Sequence, residues 1–332
     1  MKSRTLKIVL WSVALVLLIG VGAAAGYAAY LMDQVRETAD QSVQKLERGD
    51  KSDMREQVVN PGDDHISVLF IGVDGSEVRE GSTRSDALVL ASFNDDDKSV
   101  KMVSIPRDSY TYIPEIGYED KITHAHAFGG VDATVETVEQ MFDVPVDYYV
   151  RLNFDSFVEV VDAMGGVQYD VPYDLMEQNS KGQLQAIELE EGYQRLNGEE
   201  ALALARTRKY DNDLARGQRQ MELIEEIARQ SLNTRSIRNI DTILSTISDN
   251  LKTNLTFNEM IAFKDYFLQE NGLTYEKMQL NGSGTYINGG YYYAVEDSSL
   301  SNIQDELRTH LGLMEPSDER DSQFATDDDG NI

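Results

Sequence analysis

Cysteine is absent from the 332 residues, tryptophan occurs once and proline six times. Without cysteine there is no disulfide framework, no thiolate metal site and no cysteine nucleophile, and the chain suits either side of a membrane. Histidine is limited to His65, His124, His126 and His310. A zinc centre would have to draw on these four, and only the alternation of His124 and His126, as on one face of a strand, favours one. Positive charge is also scarce: 30 Lys and Arg stand against 58 Asp and Glu, a net charge of −28. Such a surface repels polyanions and excludes global attraction to nucleic acid. Walker A, GxSxG, HExxH and complete GxGxxG patterns are missing, which removes the standard phosphate loop, the serine-hydrolase elbow and the zincin site. What is present is 41% hydrophobic residues in a length that allows one large or two ordinary domains, with room for an enzyme.

From Ile8 to Met32 the chain carries no charge, long enough to span a hydrocarbon core of ~30 Å. Lys2, Arg4 and Lys7 precede this stretch and Asp33 follows it. The positive-inside rule therefore leaves residues 1–7 as a cytoplasmic arm, makes 8–32 a transmembrane helix and sends the remainder outside. A cleaved signal peptide ending near Ala23-Ala24-Ala25 is the alternative, but its apolar region is ordinarily 7 to 15 residues. Residues 33–64 are rich in mixed charge, with Val35, Ala39, Val43 and Leu46 near helical spacing, and end in Asn60-Pro61-Gly62-Asp63-Asp64, which reads as a helical stalk and linker. The main extracytoplasmic domain occupies 65–314. The tail over 315–332 holds seven acids against Arg320 alone and reads as solvated and disordered.

Within the domain, short apolar runs at Ile66 to Val73, Ala87 to Phe93 and Val100 to Ile105 predict three strands. The turn Asn94 to Lys98 and a loop of about ten residues from Gly75 to Arg84 make them an antiparallel meander. The spacing predicts helices over Val131 to Phe142, Asp155 to Met164, Gly198 to Arg206, Leu214 to Gln230, Ile237 to Lys252 and Asn258 to Gln269. Strands are expected at Asp147 to Leu152, Val167 to Val171 and around Tyr291-Tyr292-Tyr293. The class is mixed α/β.

In such a meander the end of the first strand, Asp74, the start of the second, Asp86, and the residues after the third, Arg107-Asp108, reach one end of the sheet. Asp74 and Asp86 fit a hard divalent ion such as Mg²⁺, which takes one or two carboxylates and completes its shell with water and phosphate. They equally fit carboxylates that cap strands and bind loop amides. Between Arg206 and Arg219 the chain reverses sign: Arg206, Arg208, Lys209, Arg216 and Arg219 face Asp211 and Asp213, a local charge of +3. Arginine's fixed fork matches phosphate oxygens, so this run, with Arg84 and Arg107, fits a pyrophosphate. An ion-paired, solvated helix face is the other reading.

The motifs Leu69-Phe70-Ile71-Gly72-Val73-Asp74, Thr83-Arg84-Ser85-Asp86-Ala87-Leu88, Ser104-Ile105-Pro106-Arg107-Asp108, Lys121-Ile122-Thr123, Leu196-Asn197-Gly198-Glu199-Glu200-Ala201, Ala205-Arg206-Thr207-Arg208 and Asp213 through Arg216 to Arg219-Gln220 follow one another in order. Together, over about residues 66 to 230 and behind an N-terminal anchor, they resemble the LytR-CpsA-Psr family. The resemblance implies a three-layer α-β-α fold with a mixed central sheet and an apolar groove for a prenyl chain, which the Val131 to Phe142 and Phe154 to Met164 helices are expected to line. It implies transfer of an anionic glycopolymer, such as a teichoic acid or capsular polysaccharide, from an undecaprenyl-pyrophosphate carrier to peptidoglycan outside the cytoplasmic membrane, with no nucleic acid as partner. By the same resemblance Asp74 and Asp86 hold Mg²⁺, and Arg84, Arg107, Arg206, Arg208 and Arg216 bind the pyrophosphate, supported by Arg219 and Gln220. Arg107, Arg206 and Arg208 would assist catalysis, with Asp108 and Asp213 either taking a proton from the acceptor hydroxyl or orienting an arginine. A prenyl-pyrophosphate phosphatase and a noncatalytic polyprenyl-phosphate scaffold use the same residues. Direct transcriptional regulation is disfavoured by the short cytoplasmic arm and the −28 charge.

Overall fold

The computed structural model describes residue 36, residues 42–74, 83–208, 212–231, 251–263, residue 266 and residues 273–314. The arm and anchor expected over 1–32, the helix expected at 237–250 and the tail at 315–332 lie outside the described residues.

The meander forms as its turns require. Strands β1 (Ile66–Val73), β2 (Ser85–Asn94) and β3 (Ser99–Ser104) pair antiparallel in succession. Two small hairpin strands follow, β4 (Tyr110–Ile113) and β5 (Tyr118–Lys121), and then helix α1 (Thr123–Phe142). Strand β6 (Tyr148–Asn153) returns parallel to β1, which needs a crossover, and α1 supplies it. The chain continues through α2 (Phe154–Ala163), β7 (Val167–Val171), β8 (Leu175–Glu177), β9 (Ile187–Leu189), β10 (Gly192–Leu196), α3 (Gly198–Arg206) and α4 (Asp213–Ser231). It then forms β11 (Leu251–Thr253), α5 (Phe257–Ala262), β12 (Thr274–Gln279), β13 (Gly282–Ile287), β14 (Gly290–Val295) and α6 (Asp297–His310). The central sheet has the order β11-β6-β1-β2-β3-β12, with β12 parallel to β3 and β11 antiparallel to β6. It is therefore mixed, as expected.

Alternation along the meander divides the core. Leu69, Ile71, Val73, Leu88, Leu90 and Val103 pack against Val131, Val135, Val138 and Phe142 of α1 and Ile303 and Leu307 of α6. On the other face Val68, Val89, Ala91, Phe93, Val100 and Met102 look toward Met221 of α4, Met260 of α5 and Tyr266. The result is the expected α-β-α layering. Beside it, α2, α3, β7 and β10 share a separate cluster built on Val161, Val167, Leu196 and Leu204. Helix α3 starts on a capping box in which the Asn197 side chain accepts from Glu200 N and Glu200 returns to Asn197 N. Only glycine fits the next position, because a Cβ on Gly198 would stand 2.2 Å from the Val158 carbonyl oxygen of α2.

Four expectations change. Residues 42–64 are no helical stalk or free linker: Leu46 and Val59 are buried in the two main cores, Val43 bridges Thr253, and Arg55 binds Asp147 at 2.7 Å. Hydrophobic burial and buried-charge pairing outweigh the weak helical periodicity there. Residues 251 and 252, assigned to a helix end, pair with β6 as strand β11. His124 and His126 sit in the first turn of α1 rather than alternating on a strand. His124 Nδ1 meets Asp120 at 2.8 Å and His126 Nδ1 meets the Thr83 carbonyl at 2.7 Å. Finally, the strand expected around Tyr291-Tyr292-Tyr293 is present as β14, while β13, the β4–β5 and β8–β9 hairpins, β10, β12 and α6 are elements beyond the expected ones.

Candidate active site

Register brings the first carboxylates together. A bulge after Gly72 pairs Val73 with Ser85, so Asp74, just past β1, and Asp86, second in β2, arrive at one sheet end. The approach is close: a Cβ on Gly72 would lie 3.1 Å from Ala87 Cβ. The third strand delivers Arg107 to the same end. Ile105 N donates to Leu88 O at 2.9 Å, prolonging the ladder, and Pro106 opens a turn closed by Ser109 N on Pro106 O at 2.9 Å. Arg107 Nη1 then reaches Asp86 Oδ1 at 2.5 Å.

The other cations come from α3 and α4. Arg206 ends α3 and Arg208 stands two residues on. Arg216 and Gln220 are four residues apart on α4 and share a face. Gly217 lets α4 close onto the end of β3, since a Cβ there would be 2.4 Å from Ser104 Oγ. Asp213, in the first turn of α4, receives Arg208 Nη1 at 3.2 Å and Arg216 Nη1 at 3.4 Å.

These side chains close one end of a cavity of about 690 Å³. Asp74, Asp86, Arg107, Arg206, Arg208, Arg216 and Gln220 all line it. The rest is apolar, including Phe70, Val89, Ala91, Phe157, Leu223 and Phe263. From Asp86 to Phe93 it follows β2 for roughly 24 Å at the rise of an antiparallel strand. Phe154, Phe157 and Val160 of α2 border it, as expected. The Val131 to Phe142 helix does not: it packs on the opposite sheet face, since Leu69, Leu88 and Leu90 alternate away from the cavity residues of β1 and β2. Helix α4 takes the place assigned to it.

Four of the expected site residues stand elsewhere. Arg84 is exposed and does not line the cavity. Arg219 is buried, with Nε donating to Leu204 O at 3.1 Å and Nη2 to Thr207 O at 2.7 Å, so it holds the segment carrying Arg206 and Arg208 instead of facing the opening. Asp108 is buried behind Arg107 and accepts from Lys121 Nζ at 2.7 Å, with Arg107 Nε at 3.7 Å. Asp213 likewise meets arginines from outside the cavity lining. Lys121 belongs to a motif visible in the sequence, but its partner does not: only the β4–β5 hairpin folds it back onto Asp108.

The electrostatics leave cationic capacity directed at the opening. Burial, with Arg208 and Arg107 nearby, lowers the Arg216 pKa against the pull of Asp213. For Arg107 burial also opposes the charge, but hydrogen bonding to Asp86 and the fields of Asp86, Asp108 and Asp213 prevail and raise it. Arg206 stacks on Phe154 with its guanidinium 4.4 Å from the ring centroid. Among the described residues, Arg206 Nη1 and Arg216 Nε are buried without a hydrogen-bond partner. Buried guanidinium donors need an acceptor, and a phosphate oxygen is one that matches their charge and geometry. An apolar tunnel ending at such donors suits a ligand with a long hydrocarbon tail and a multiply charged oxyanion head.

Comparisons with known proteins agree with this geometry. Polyisoprenyl-teichoic acid–peptidoglycan teichoic acid transferase TagT of Bacillus subtilis is 41% identical over 317 residues, covering 94% of this chain and 97% of that protein. The solved structure of TagT bound to LIIa-WTA is similar at 42% identity with a TM-score of 0.70, covering 81% of this chain and 99% of that one. TagT with bound octaprenyl pyrophosphate lipid is similar at 40% identity and a TM-score of 0.66, with the same two coverages. The LytR_cpsA_psr family model matches residues 29–309, and with the fold, the ordered motifs and the cavity in agreement, the chain belongs to the LytR_cpsA_psr family.

Proposed function

We propose that this chain transfers an anionic glycopolymer of the teichoic acid type from a polyprenyl-pyrophosphate carrier to peptidoglycan. The observation that carries this reading is the union, in one cavity, of an apolar channel and the Arg107, Arg206, Arg208 and Arg216 cluster beside Asp74 and Asp86. The names of the relatives, a teichoic acid transferase and a structure with a bound prenyl pyrophosphate, support it.

In the proposed reaction the prenyl chain occupies the channel and its diphosphate lies among the guanidinium groups. A peptidoglycan hydroxyl attacks the phosphorus next to the sugar, its proton passes to the departing phosphate, the bond to the bridging oxygen breaks, and prenyl phosphate leaves as a phosphodiester forms. Such phosphoryl transfer depends on alignment and charge neutralisation more than on an enzyme nucleophile. Arg206 Nη1 and Arg216 Nε supply their unused donors to the diphosphate. Asp213 splays Arg208 and Arg216 toward it, and Asp108, held by Lys121, fixes Arg107 from behind.

Mg²⁺ fits Asp74 and Asp86. Both line the cavity and would hold the ion, which takes one or two carboxylates and draws its remaining ligands from water and phosphate. When bound there, Mg²⁺ supplies positive charge against the diphosphate oxygens. Residues 8–32 anchor the protein, with the catalytic domain outside the cytoplasmic membrane; the carrier lipid then confines the donor to the membrane plane, and the acidic surface matters little to its capture.

The test is incubation of the purified protein with a prenyl-pyrophosphate-linked saccharide and peptidoglycan oligomers, with and without Mg²⁺, scoring lipid release and sugar attachment separately. Release coupled to attachment supports transfer. Release of free saccharide phosphate alone would mark a phosphatase, and lipid binding without turnover a scaffold.

A further inference from the structure

The hairpin of β13 and β14, residues 282–295, contains no Asp, Glu, Lys or Arg in a chain of which 27% is charged. It closes on Asn288-Gly289, both at positive φ, the turn that fits the twist of a tight two-residue hairpin. Its outward surface is aromatic. Tyr286 is 75% exposed and Tyr291 39%, and these directly paired residues set their rings edge to face with centroids 5.7 Å apart. Gly284 keeps its place bare for them, since a Cβ there would stand 2.8 Å from the Tyr291 ring. Two exposed aromatic rings gain nothing for the core, and a rigid uncharged aromatic surface is suited to a neutral, partly apolar ligand.

The hairpin is fastened to the active site. Tyr293 N donates to Asp108 O at 2.8 Å, Ser109 bridges Tyr293, and Tyr293 Oη donates to Leu280 O at 3.0 Å. Tyr291 lies two residues from this anchor, about 7 Å along the strand. Burial raises the Tyr291 pKa, and the carboxylates of Asp213 and Asp108 add to the rise. Neither Tyr286 nor Tyr291 borders the lipid cavity, nor do Asp108 and Asp213. The hairpin therefore adjoins Asp108 and Ser109, next in sequence to Arg107, without entering the lipid cavity. With the donor lipid on the channel side, the acceptor has to come from the other.

We propose that Tyr286 and Tyr291 form the acceptor platform, on which a neutral strand of β-linked N-acetylhexosamines, the glycan of peptidoglycan, lays the apolar faces of its sugar rings beside the phosphate-binding cluster. This rests on the transfer reading above. A pyranose presents axial C–H groups on its flat faces, and these pack on aromatic rings while the hydroxyls stay in water. The absence of charge on the hairpin avoids desolvating ions against such a ligand. The Tyr286 and Tyr291 rings thereby select a glycan acceptor over water and over charged polymers.

The experiment measures binding of an alternating N-acetylglucosamine–N-acetylmuramic acid tetrasaccharide, its lactyl carboxyls capped as amides so that it is neutral, to the intact protein by calorimetry, for the wild type and for Tyr286→Ala, Tyr291→Ala and Tyr291→Trp. The expected result is a Kd raised about tenfold in each alanine variant, as for aromatic anchors elsewhere, and retained binding in Tyr291→Trp. In the transfer assay the acceptor KM should rise in parallel while prenyl-pyrophosphate affinity stays at the wild-type value. Unchanged tetrasaccharide binding in both alanine variants, or no binding by the wild type, would overturn the platform. A wild type that binds the tetrasaccharide through these rings but joins nothing to it would instead refute transfer and leave the platform assignment standing.

Discussion

Arg107 Nη1 lies 2.5 Å from Asp86 Oδ1, so a cation delivered by the end of β3 is held by a carboxylate at the start of β2, with Asp108 and Lys121 behind it. Both partners keep about a quarter to a third of their side-chain surface in solvent. The pair therefore contributes little to stability, of the order of 1 kcal/mol or less. Its consequence is positional. Arg107→Ala should lower transfer by roughly 10²–10³-fold, the range for loss of one preorganised donor, while shifting the urea midpoint only slightly. Arg107→Lys should not restore activity, because an ammonium lacks the planar fork. Wild-type turnover in either variant would exclude a role for Arg107 in the transition state.

Arg219 should behave differently. Its guanidinium is buried on the Leu204 and Thr207 carbonyls and reaches no cavity surface. Arg219→Ala should destabilise the fold by about 2–3 kcal/mol, the range for hydrogen bonds to a charged group. Activity should fall as well through displacement of Arg206 and Arg208. Chemical denaturation with activity measured on the folded fraction separates the two effects.

Ala91 lines the channel five residues along β2 from Asp86. Ala91→Phe adds volume to an existing cavity, so the fold should survive. Long prenyl pyrophosphates should bind at least about tenfold more weakly, while short ones, ending before residue 91, keep their affinity. A uniform loss for every chain length would place the tail elsewhere.

At the far end of the sheet His310 is buried between Ser92, whose Oγ meets Nδ1 at 2.7 Å, and Ser99, whose Oγ meets Nε2 at 2.9 Å. Burial, followed by the charges of Lys101 and His65 and opposed by Glu306, pushes its pKa from 6.5 down to about 4. The unfolded chain therefore binds the proton first as pH falls. The associated stability is fully present above pH 6.5 and is lost progressively toward pH 4, by about 3 kcal/mol. Urea titrations of wild type and His310→Gln across this window should show a steeper decline for the wild type. Parallel curves would contradict the buried neutral imidazole.

The meander was legible because its apolar runs are strand-length and its turns short, and from it followed the meeting of Asp74, Asp86 and Arg107. The arginine run was legible as a charge reversal, but not its division of labour. Arg216 and Arg219 differ by three positions on one helix, and only the packing of α4 on β3 decides that the first faces the cavity and the second the α3 carbonyls. Of the two helices expected along the channel, α2 borders it and α1 does not, because α1 and α4 are both amphipathic and periodicity does not say which sheet face a helix covers. Val35 and Ala39, which began the near-helical spacing, lie outside the described residues; the burial of residues 42–64 comes from Leu46 and Val59 in the cores and from Arg48 and Arg55 pairing with Glu139 and Asp147 far along the chain. The β13–β14 hairpin gave only its tyrosines, since glycine-rich, exposed strands lack a buried alternating face.

A crystal structure of the protein with a long-chain prenyl pyrophosphate would decide whether one ligand joins channel and cluster. The expected result places the diphosphate within hydrogen-bond distance of Arg206 Nη1 and Arg216 Nε, beside Asp74 and Asp86, with the hydrocarbon running past Val89 and Ala91. A diphosphate bound away from these arginines, or a tail outside the channel, would contradict it.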